Sequence, residues 1–225
     1  AFIEYQDDYG IDSDGLIGSS KYVDSSGVKW GFATTGTNIV LTGFSSGWDT
    51  YETPEQFSSI ILDNAKTNTA GDVGAVGVTN NSIYSNHLLG TSQWQLQLQD
   101  SDLQIIKIKR VSDVQIVIGH DNSTDEPVLY WSTSDYNDSD SYAWFRATVL
   151  NGVGSRFTDI DYGNGQWMVA TSDPGGRMWY SEDKNPTRCY YGFSTILPTY
   201  QSDFIGYGGG LSYEWLSASK STSTH

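Results

Sequence analysis

The stretch RFTDIDYGNGQWMVATSDPGGRMWYSED, residues Arg156–Asp183, decides the fold class of this chain. It predicts three short strands joined by two tight turns, because apolar runs alternate with clusters of Gly, Asn, Asp and Pro. The stretch ends in a Ser-x-Asp corner formed by Ser181 and Asp183. Related stretches recur along the chain, and a repeat of a few tens of residues is typical of solenoids and propellers.

The repeat aligns on its central strand, which is QWMVAT in the clearest copy. The five runs that align are nearly continuous in apolar or small residues, which predicts strands covered on both faces by stacked sheets. These runs are Asn38–Thr42, Val73–Val78, Gln115–Gly119, Gln166–Thr171 and Trp215–Ser219.

The corners that follow the repeats recur at intervals of 39 to 50 residues when the chain is read as a circle. This spacing predicts an all-β, five-bladed β-propeller that forms a single domain over residues 1–225. The N-terminal strand Phe2–Tyr5 closes the last blade, whose inner strands come from Phe204–Ser219, and such closure hides sheet edges. A β-sandwich with accidental spacing is the alternative. One short helix is predicted at Thr53–Leu62, with Thr53 as its N-cap and Pro54 at its first position.

The corner after the clearest copy resembles the Asp-box, S-x-D-x-G-x-T-W, of BNR-type β-propellers. Asn185 replaces the Gly of that motif, and Arg188 stands where Trp is expected. The run YGNGQWMVA is also similar to the strand pair of BNR-like repeats in phage virion proteins and bacterial surface proteins. The resemblance implies that the Asp caps backbone N–H groups of the turn, so these are fold residues. The corner residues are Asp8, Gly10, Thr133, Asp135, Asn137, Ser181, Asp183, Asn185 and Thr187.

The charge of the chain restricts its partners. The formal net charge of −15 opposes binding to nucleic acid or to an anionic membrane surface. We therefore expect no nucleic-acid partner and no membrane insertion. The charge fits an extracellular location, and the resemblance to phage repeats implies a virion as the alternative location. A single cysteine, Cys189, rules out a disulfide within the chain.

The sequence assigns no catalytic residue, and we expect the protein not to be an enzyme. A five-bladed glycoside hydrolase is the enzymatic alternative, since such enzymes use inward-facing carboxylates, here Asp159, Asp161 and Asp203. The same carboxylates would also suit the polar lining of a wet channel. No cofactor is expected. Asp12 and Asp14 resemble only part of a calcium loop, which is weak support for a metal.

Aromatic residues in predicted loops favour a binding role, because aromatic faces beside Asn and Asp suit sugar rings. The resemblance to repeats of phage virion proteins implies, together with these aromatics, a structural or receptor-binding module of a phage virion, such as a tail, fibre or capsid-decoration protein. Its partners would be other virion proteins or a host-surface glycan. A secreted or surface lectin is a further alternative. The predicted ligand-binding residues are Trp48, Tyr51, Tyr136, Tyr142, Tyr190 and Tyr191.

Overall fold

Every regular element in the part of the chain that the computed structural model describes is a β-strand. None of these residues forms a helix long and apolar enough to cross a membrane. The described residues are 16–24, 27–34, 38–44, 47–64, 73–91, 93–111, 114–133, 144–149, 156–163, 166–172, 177–181, 188–194, 201–208 and 214–220.

The described residues up to Asp100 form one compact unit, which contains two four-stranded sheets. Each sheet is an antiparallel meander in which consecutive strands are neighbours. The strands of the first sheet are β1 (Leu16–Asp24), β2 (Gly27–Thr34), β3 (Ile39–Phe44) and β4 (Gly47–Glu52). Those of the second are β5 (Ser59–Asn64), β6 (Val73–Val78), β7 (Ser82–Asn86) and β8 (Gln95–Gln99).

The described residues from Ser101 onward form the second compact unit. Its first sheet is a meander of β9 (Leu103–Val111), β10 (Val114–Asp121), β11 (Glu126–Thr133) and β12 (Phe145–Arg146). Its second sheet adds the short β13 (Thr148–Val149), in parallel, to a meander of β14 (Phe157–Gly163), β15 (Gln166–Thr171), β16 (Arg177–Ser181) and β17 (Arg188–Ser194). A hairpin of β18 (Gln201–Gly208) and β19 (Glu214–Lys220) forms the third.

The predicted central strands are confirmed, since β3, β6, β10, β15 and β19 occupy the five aligned runs. Every residue of β6 and β10 is buried, as expected of strands covered on both faces. Each of these strands lies between two antiparallel neighbours, except for β19, which the structure pairs with β18. The all-β class is thus confirmed, whereas the single domain over residues 1–225 stays a prediction.

Each unit has its own apolar core. In the first unit the core comprises Val40, Phe57, Ile60, Leu62, Val73, Ala75, Tyr84 and Leu89. In the second it comprises Val114, Ile116, Ile118, Leu129, Ala147, Phe157, Ile160, Trp167, Val169 and Trp179. The second core joins residues of β10 and β11 to residues of β14, β15 and β16, so two sheets of that unit pack face to face.

The helix predicted at Thr53–Leu62 is wrong. Ser59–Leu62 belongs to β5, and the residues before it form turns and irregular backbone. The Thr53 hydroxyl donates to the carbonyl of Glu55 at 2.6 Å instead of capping a helix. The run Ile60–Leu62 is fully buried and pairs with β6, and so short an apolar run fits a buried strand as well as a helix.

Candidate functional site

An open cavity of about 390 Å³ lies in the first unit, and we call it the Glu55 pocket. One wall is the segment that precedes β5, and the other is the turn between β6 and β7. Its lining residues are Glu55, Gln56, Phe57, Ser58, Thr79, Asn80 and Asn81.

Backbone hydrogen bonds hold the two walls of the pocket together. The Ser58 amide donates to the Val78 carbonyl at 2.7 Å, which joins the segment before β5 to the end of β6. In the turn, the Thr79 hydroxyl accepts from the Ser82 amide at 3.0 Å and from the Asn81 amide at 3.3 Å. A hydroxyl that accepts from amides two and three residues later is a typical side-chain lock for a tight turn.

The Phe57 side chain is 2% exposed and anchors the first wall in the core. Its ring lies against Gly77 of β6, where a Cβ atom would overlap the ring. It also contacts Tyr84, with ring centroids 5.7 Å apart, and Trp94, edge to face at 4.9 Å. The Trp94 indole in turn donates to the Glu52 carbonyl at 2.9 Å. A glycine inside a strand marks a close approach of this kind, and here it fixes where the segment before β5 runs.

The charged group of the pocket is the Glu55 carboxylate, which is held by a buried tyrosine. The Tyr84 hydroxyl donates to Oε1 of Glu55 at 2.6 Å. Burial raises the pKa of Tyr84 to about 12, and the hydrogen bond to Glu55 and its charge act in the same direction, against a smaller effect of the Ser82 hydroxyl. The phenol therefore stays protonated near neutral pH and orients the half-buried carboxylate at the cavity.

Amide side chains supply the rest of the polar lining. The Asn81 Oδ1 atom accepts from the Ser82 hydroxyl at 3.2 Å and lies 3.4 Å from the Thr79 hydroxyl. With Oδ1 assigned as the acceptor, the other end of this amide is an NH₂ donor, and Asn81 lines the cavity. The neighbouring Asn80 is exposed. Among the lining residues that the structure describes, Glu55 is the one ionisable side chain, and the others are neutral donors and acceptors with one aromatic ring.

Two of the carboxylates predicted for the enzymatic alternative are paired with lysines in the second unit. Lys107 and Lys109 of β9 form ion pairs with Asp159 and Asp161 of β14, respectively. The Asp159 side chain is only 5% exposed, and its Oδ1 atom also accepts from the Ile160 amide at 2.8 Å. Because both carboxylates bind ammonium groups, their described contacts are those of an ion-pair ladder between strands.

The predicted ligand-binding aromatics fall in different environments. Tyr51 lies on β4, is half-buried and packs against the core of the first unit. Burial raises the pKa of Tyr51, with the charge of Asp49 acting the same way and the Thr42 hydroxyl opposing. Packing accounts for these contacts, and the ligand-binding role of Tyr51 stays a prediction.

The backbone alone is described for three more of these aromatics. Trp48 lies on β4, and Tyr190 and Tyr191 lie on β17 beside β16. Tyr136 and Tyr142 lie outside the described residues.

Most of the predicted Asp-box residues also lie outside the described ranges. Two are described: Ser181 is buried at the end of β16, and Thr133 is half-buried at the end of β11. The undescribed ones are Asp8, Gly10, Asp135, Asn137, Asp183, Asn185 and Thr187, together with the calcium candidates Asp12 and Asp14. In the described ranges, no group of three or more His, Cys, Asp or Glu side chains is placed to hold a metal ion.

The turn-capping role expected of the Asp-box is found at another corner, the turn between β10 and β11. Oδ1 of Asp121 accepts from the amides of Ser123 and Thr124 and from the Ser123 hydroxyl, at 2.7 to 3.3 Å. The Ser123 hydroxyl bond is the largest cause that holds the pKa of Asp121 below its usual value, and the amide bonds and Arg146 add to it against burial. An aspartate thus fastens this hairpin through local hydrogen bonds.

The sequence did not indicate the Glu55 pocket. Its first wall lies in the stretch predicted as a helix, and the helical pattern concealed the irregular backbone that carries Glu55 and Phe57. Two signals were available. Gly77 interrupts a strand, which marks a close approach, and the polar run Thr79–Ser82 between two apolar strands marks an exposed turn.

The sequence matches no protein-family model, and no curated protein matches it significantly. Solved structures do resemble it. BBS1N in complex with ARL6DN is 9% identical, with a TM-score of 0.59 over 91% of this chain and 61% of that one. YCF48 bound to D1 peptide is 14% identical, with a TM-score of 0.51 over 85% of this chain and 57% of that one. This chain therefore spans about three fifths of the length of those structures.

Both neighbours are β-propeller-like, and the chain shares that fold. A GH43_1 enzyme from Xanthomonas citri is 8% identical, with a TM-score of 0.41 over 84% of this chain and 78% of that one. So low a likeness bears neither for nor against catalysis.

Proposed function

We propose that this chain is a non-enzymatic binding module of a phage virion that recognises a saccharide in the Glu55 pocket. The observation that carries the proposal is the Glu55 carboxylate, which Tyr84 holds at an open cavity that the Asn81 side chain also lines. Carboxylates and amides accept from and donate to sugar hydroxyls at fixed angles, which gives such sites their specificity. A cavity of about 390 Å³ lies in the lower part of the range for small-molecule sites.

The non-enzymatic part of the proposal is supported by the placement of carboxylates. Glycoside hydrolysis requires two carboxyl groups on either side of the scissile bond. The Glu55 pocket has one carboxylate among its described lining residues, and two of the other candidates, Asp159 and Asp161, are ion-paired with lysines. Among these described side chains, no two carboxyl groups face each other without a cation bound to them.

The virion role comes from the repeat. The similarity of the clearest copy to BNR-like repeats of phage virion proteins favours a tail, fibre or capsid-decoration module whose partners are virion proteins and a host-surface glycan. Both structural neighbours were solved with another protein or a peptide, which supports assembly with a protein partner as the second candidate function. A secreted or surface lectin would use the pocket in the same way.

Within this proposal the five sheets of the structure correspond to five blades, and the N-terminal strand completes the blade that contains β18 and β19. Deletion of residues Ala1–Tyr5 tests this closure. The deletion should lower the thermal unfolding temperature of the whole chain, because the last blade loses an edge strand. An unchanged unfolding temperature would refute the closure and leave saccharide binding unaffected.

Binding is tested with a glycan array, followed by calorimetry on the best ligand. Asn80→Ala removes an exposed amide from the pocket rim, and Asn122→Ala removes an exposed turn asparagine elsewhere in the chain. We expect Asn80→Ala to weaken binding about 2–12-fold, the usual range for one hydrogen bond, while Asn122→Ala leaves it unchanged. Equal effects of the two variants would reject the pocket as the binding site. Hydrolysis of the bound glycan that is lost in Asp159→Asn would reject the non-enzymatic role.

A further inference from the structure

We infer that the Glu55 pocket selects its saccharide by charge. A sugar with a protonated amine is preferred over its N-acetylated counterpart, and sugars with carboxylate or sulfate groups are rejected. The inference rests on the proposed function, because it names the ligand class of the same pocket.

The first argument is the composition of the pocket. Of the seven lining residues that the structure describes, Glu55 alone is ionisable, and the others offer amides, hydroxyls and one aromatic ring. A bound ammonium group would form a charge-assisted hydrogen bond with the Glu55 carboxylate, about twice as strong as a neutral one. An anionic sugar would instead place its charge beside the like charge of Glu55, and none of these described lining residues is a cation that could offset the repulsion.

The second argument is the geometry that keeps the carboxylate in place. The Tyr84 hydroxyl is bonded to Oε1 at 2.6 Å, and Tyr84 itself is 7% exposed and packed against Phe57. A side chain held from a buried group is preorganised, so little rotamer entropy is lost when a ligand binds. The neutral phenol donates to the carboxylate without cancelling its charge, and the pocket therefore presents a fixed negative charge.

The size of the preference follows from the openness of the site. The attraction between two opposite unit charges about 4 Å apart in a water-like medium raises the binding affinity roughly fivefold. We expect about that ratio between the amine and its N-acetylated form at low salt. The ratio should shrink toward one at high salt, because the contact is exposed to screening ions.

The experiment uses the full chain and three probes: a glucosamine trimer, its fully N-acetylated form and sialyllactose. Affinities are measured by calorimetry for the wild type, for Glu55→Gln and for Glu52→Gln. Glu52 is a matched control, since it is exposed and lies three residues away without lining the pocket. Glutamine at position 55 keeps an acceptor for the Tyr84 hydroxyl, and thermal unfolding of each variant checks that the fold is retained.

We expect the wild type to bind the amine roughly fivefold more tightly than the N-acetylated trimer and to bind sialyllactose least. Glu55→Gln should bring the first two affinities together, while Glu52→Gln keeps the wild-type ratio. Equal affinities in the wild type, an unchanged ratio in Glu55→Gln, or a ratio independent of salt would each overturn the inference.

These results separate the two proposals. Suppose that a glycan binds and that Asn80→Ala weakens this binding, but the wild type binds the amine and the N-acetylated trimer equally well. The charge inference then fails and the proposed function stands. If the array and all three probes give no binding, both fail.

Discussion

Raising the pH tests the burial of Tyr84 together with its hydrogen bond to Glu55. The pKa of the Tyr84 phenol rises from the ordinary value of 10.0 to about 12 in the folded chain. The folded state therefore holds this proton more tightly than the unfolded state does. The resulting stability is fully present below pH 10 and is lost as the pH rises through about 12.

The magnitude follows from the shift. Each pKa unit corresponds to about 1.4 kcal/mol, so a shift of this size has an upper bound of about 2.7 kcal/mol. The bonded carboxylate lies at an open pocket where solvent screens its charge, and we expect about 1–2 kcal/mol. Glu55→Gln should lower the pKa of Tyr84 without restoring its ordinary value, because burial is the largest cause of the shift.

The assay is urea denaturation of the wild type and of Tyr84→Phe between pH 9 and 12. The comparison cancels the titration of the other tyrosines. Near pH 9, Tyr84→Phe should be less stable by about 1 kcal/mol, the usual cost of one lost hydrogen bond. This gap should close, and then reverse, as the pH approaches 12. A gap that stays constant over the whole range would refute both the burial and the hydrogen bond as described.

Three further predictions concern stability and are checked by chemical denaturation. Gly77→Ala should lower the free energy of unfolding by about 1–3 kcal/mol, because the new Cβ would overlap a buried aromatic ring. Gly47→Ala is the control: no atom lies within 4 Å of its new Cβ, so the change should stay within about 0.5 kcal/mol. Equal losses in the two variants would contradict this packing. Lys107→Met should cost about 1–3 kcal/mol, reduced by the partial exposure of the lysine, because it leaves a buried carboxylate without its cation. Adding Asp159→Asn should recover part of this loss, and strictly additive effects would argue against the pair. Asp121→Ala should cost about 1–2 kcal/mol near pH 7. The pKa of the Asp121 carboxyl is lowered in the folded state, so its contribution to stability is present above the ordinary value of 3.8 and is lost as the pH falls through the folded value. If Asp121→Ala remained less stable than the wild type in acid, the capping role of this carboxylate in the turn would be contradicted.

The strands of this chain were predictable because their signal is local. The runs at β6 and β15 are bounded by turn residues and are apolar enough to be buried on both faces, so the sequence predicts their bounds exactly. The same locality explains the wrong helix. Thr53 and Pro54 form a helix-start pattern, but the fate of the segment depends on a tertiary contact, the close approach of Phe57 to Gly77.

The site was less predictable than the fold for a related reason. A loop aromatic has the same local pattern whether it packs or binds, and Tyr51 was predicted to bind although its described contacts are with the core. Phe145 was not among the aromatics predicted to bind a ligand, yet its side chain is 49% exposed. Its ring lies against that of Trp131, with centroids 5.0 Å apart. Likewise, the sequence could not show that Asp159 and Asp161 would meet lysines 52 residues earlier.

Those two ion pairs also fix how β9, in one sheet of the second unit, is aligned with β14, in another. Lys107 and Lys109 alternate with Ile108 in the same way that Asp159 and Asp161 alternate with Ile160. A slip by one residue breaks both pairs: in one direction Ile106 and Ile108 would face the carboxylates, and in the other Ile108 would face Asp159 and Arg110 would face Asp161. A slip by two would keep one lysine–aspartate pair and break the other. The paired charges therefore act against misaligned docking of the two strands.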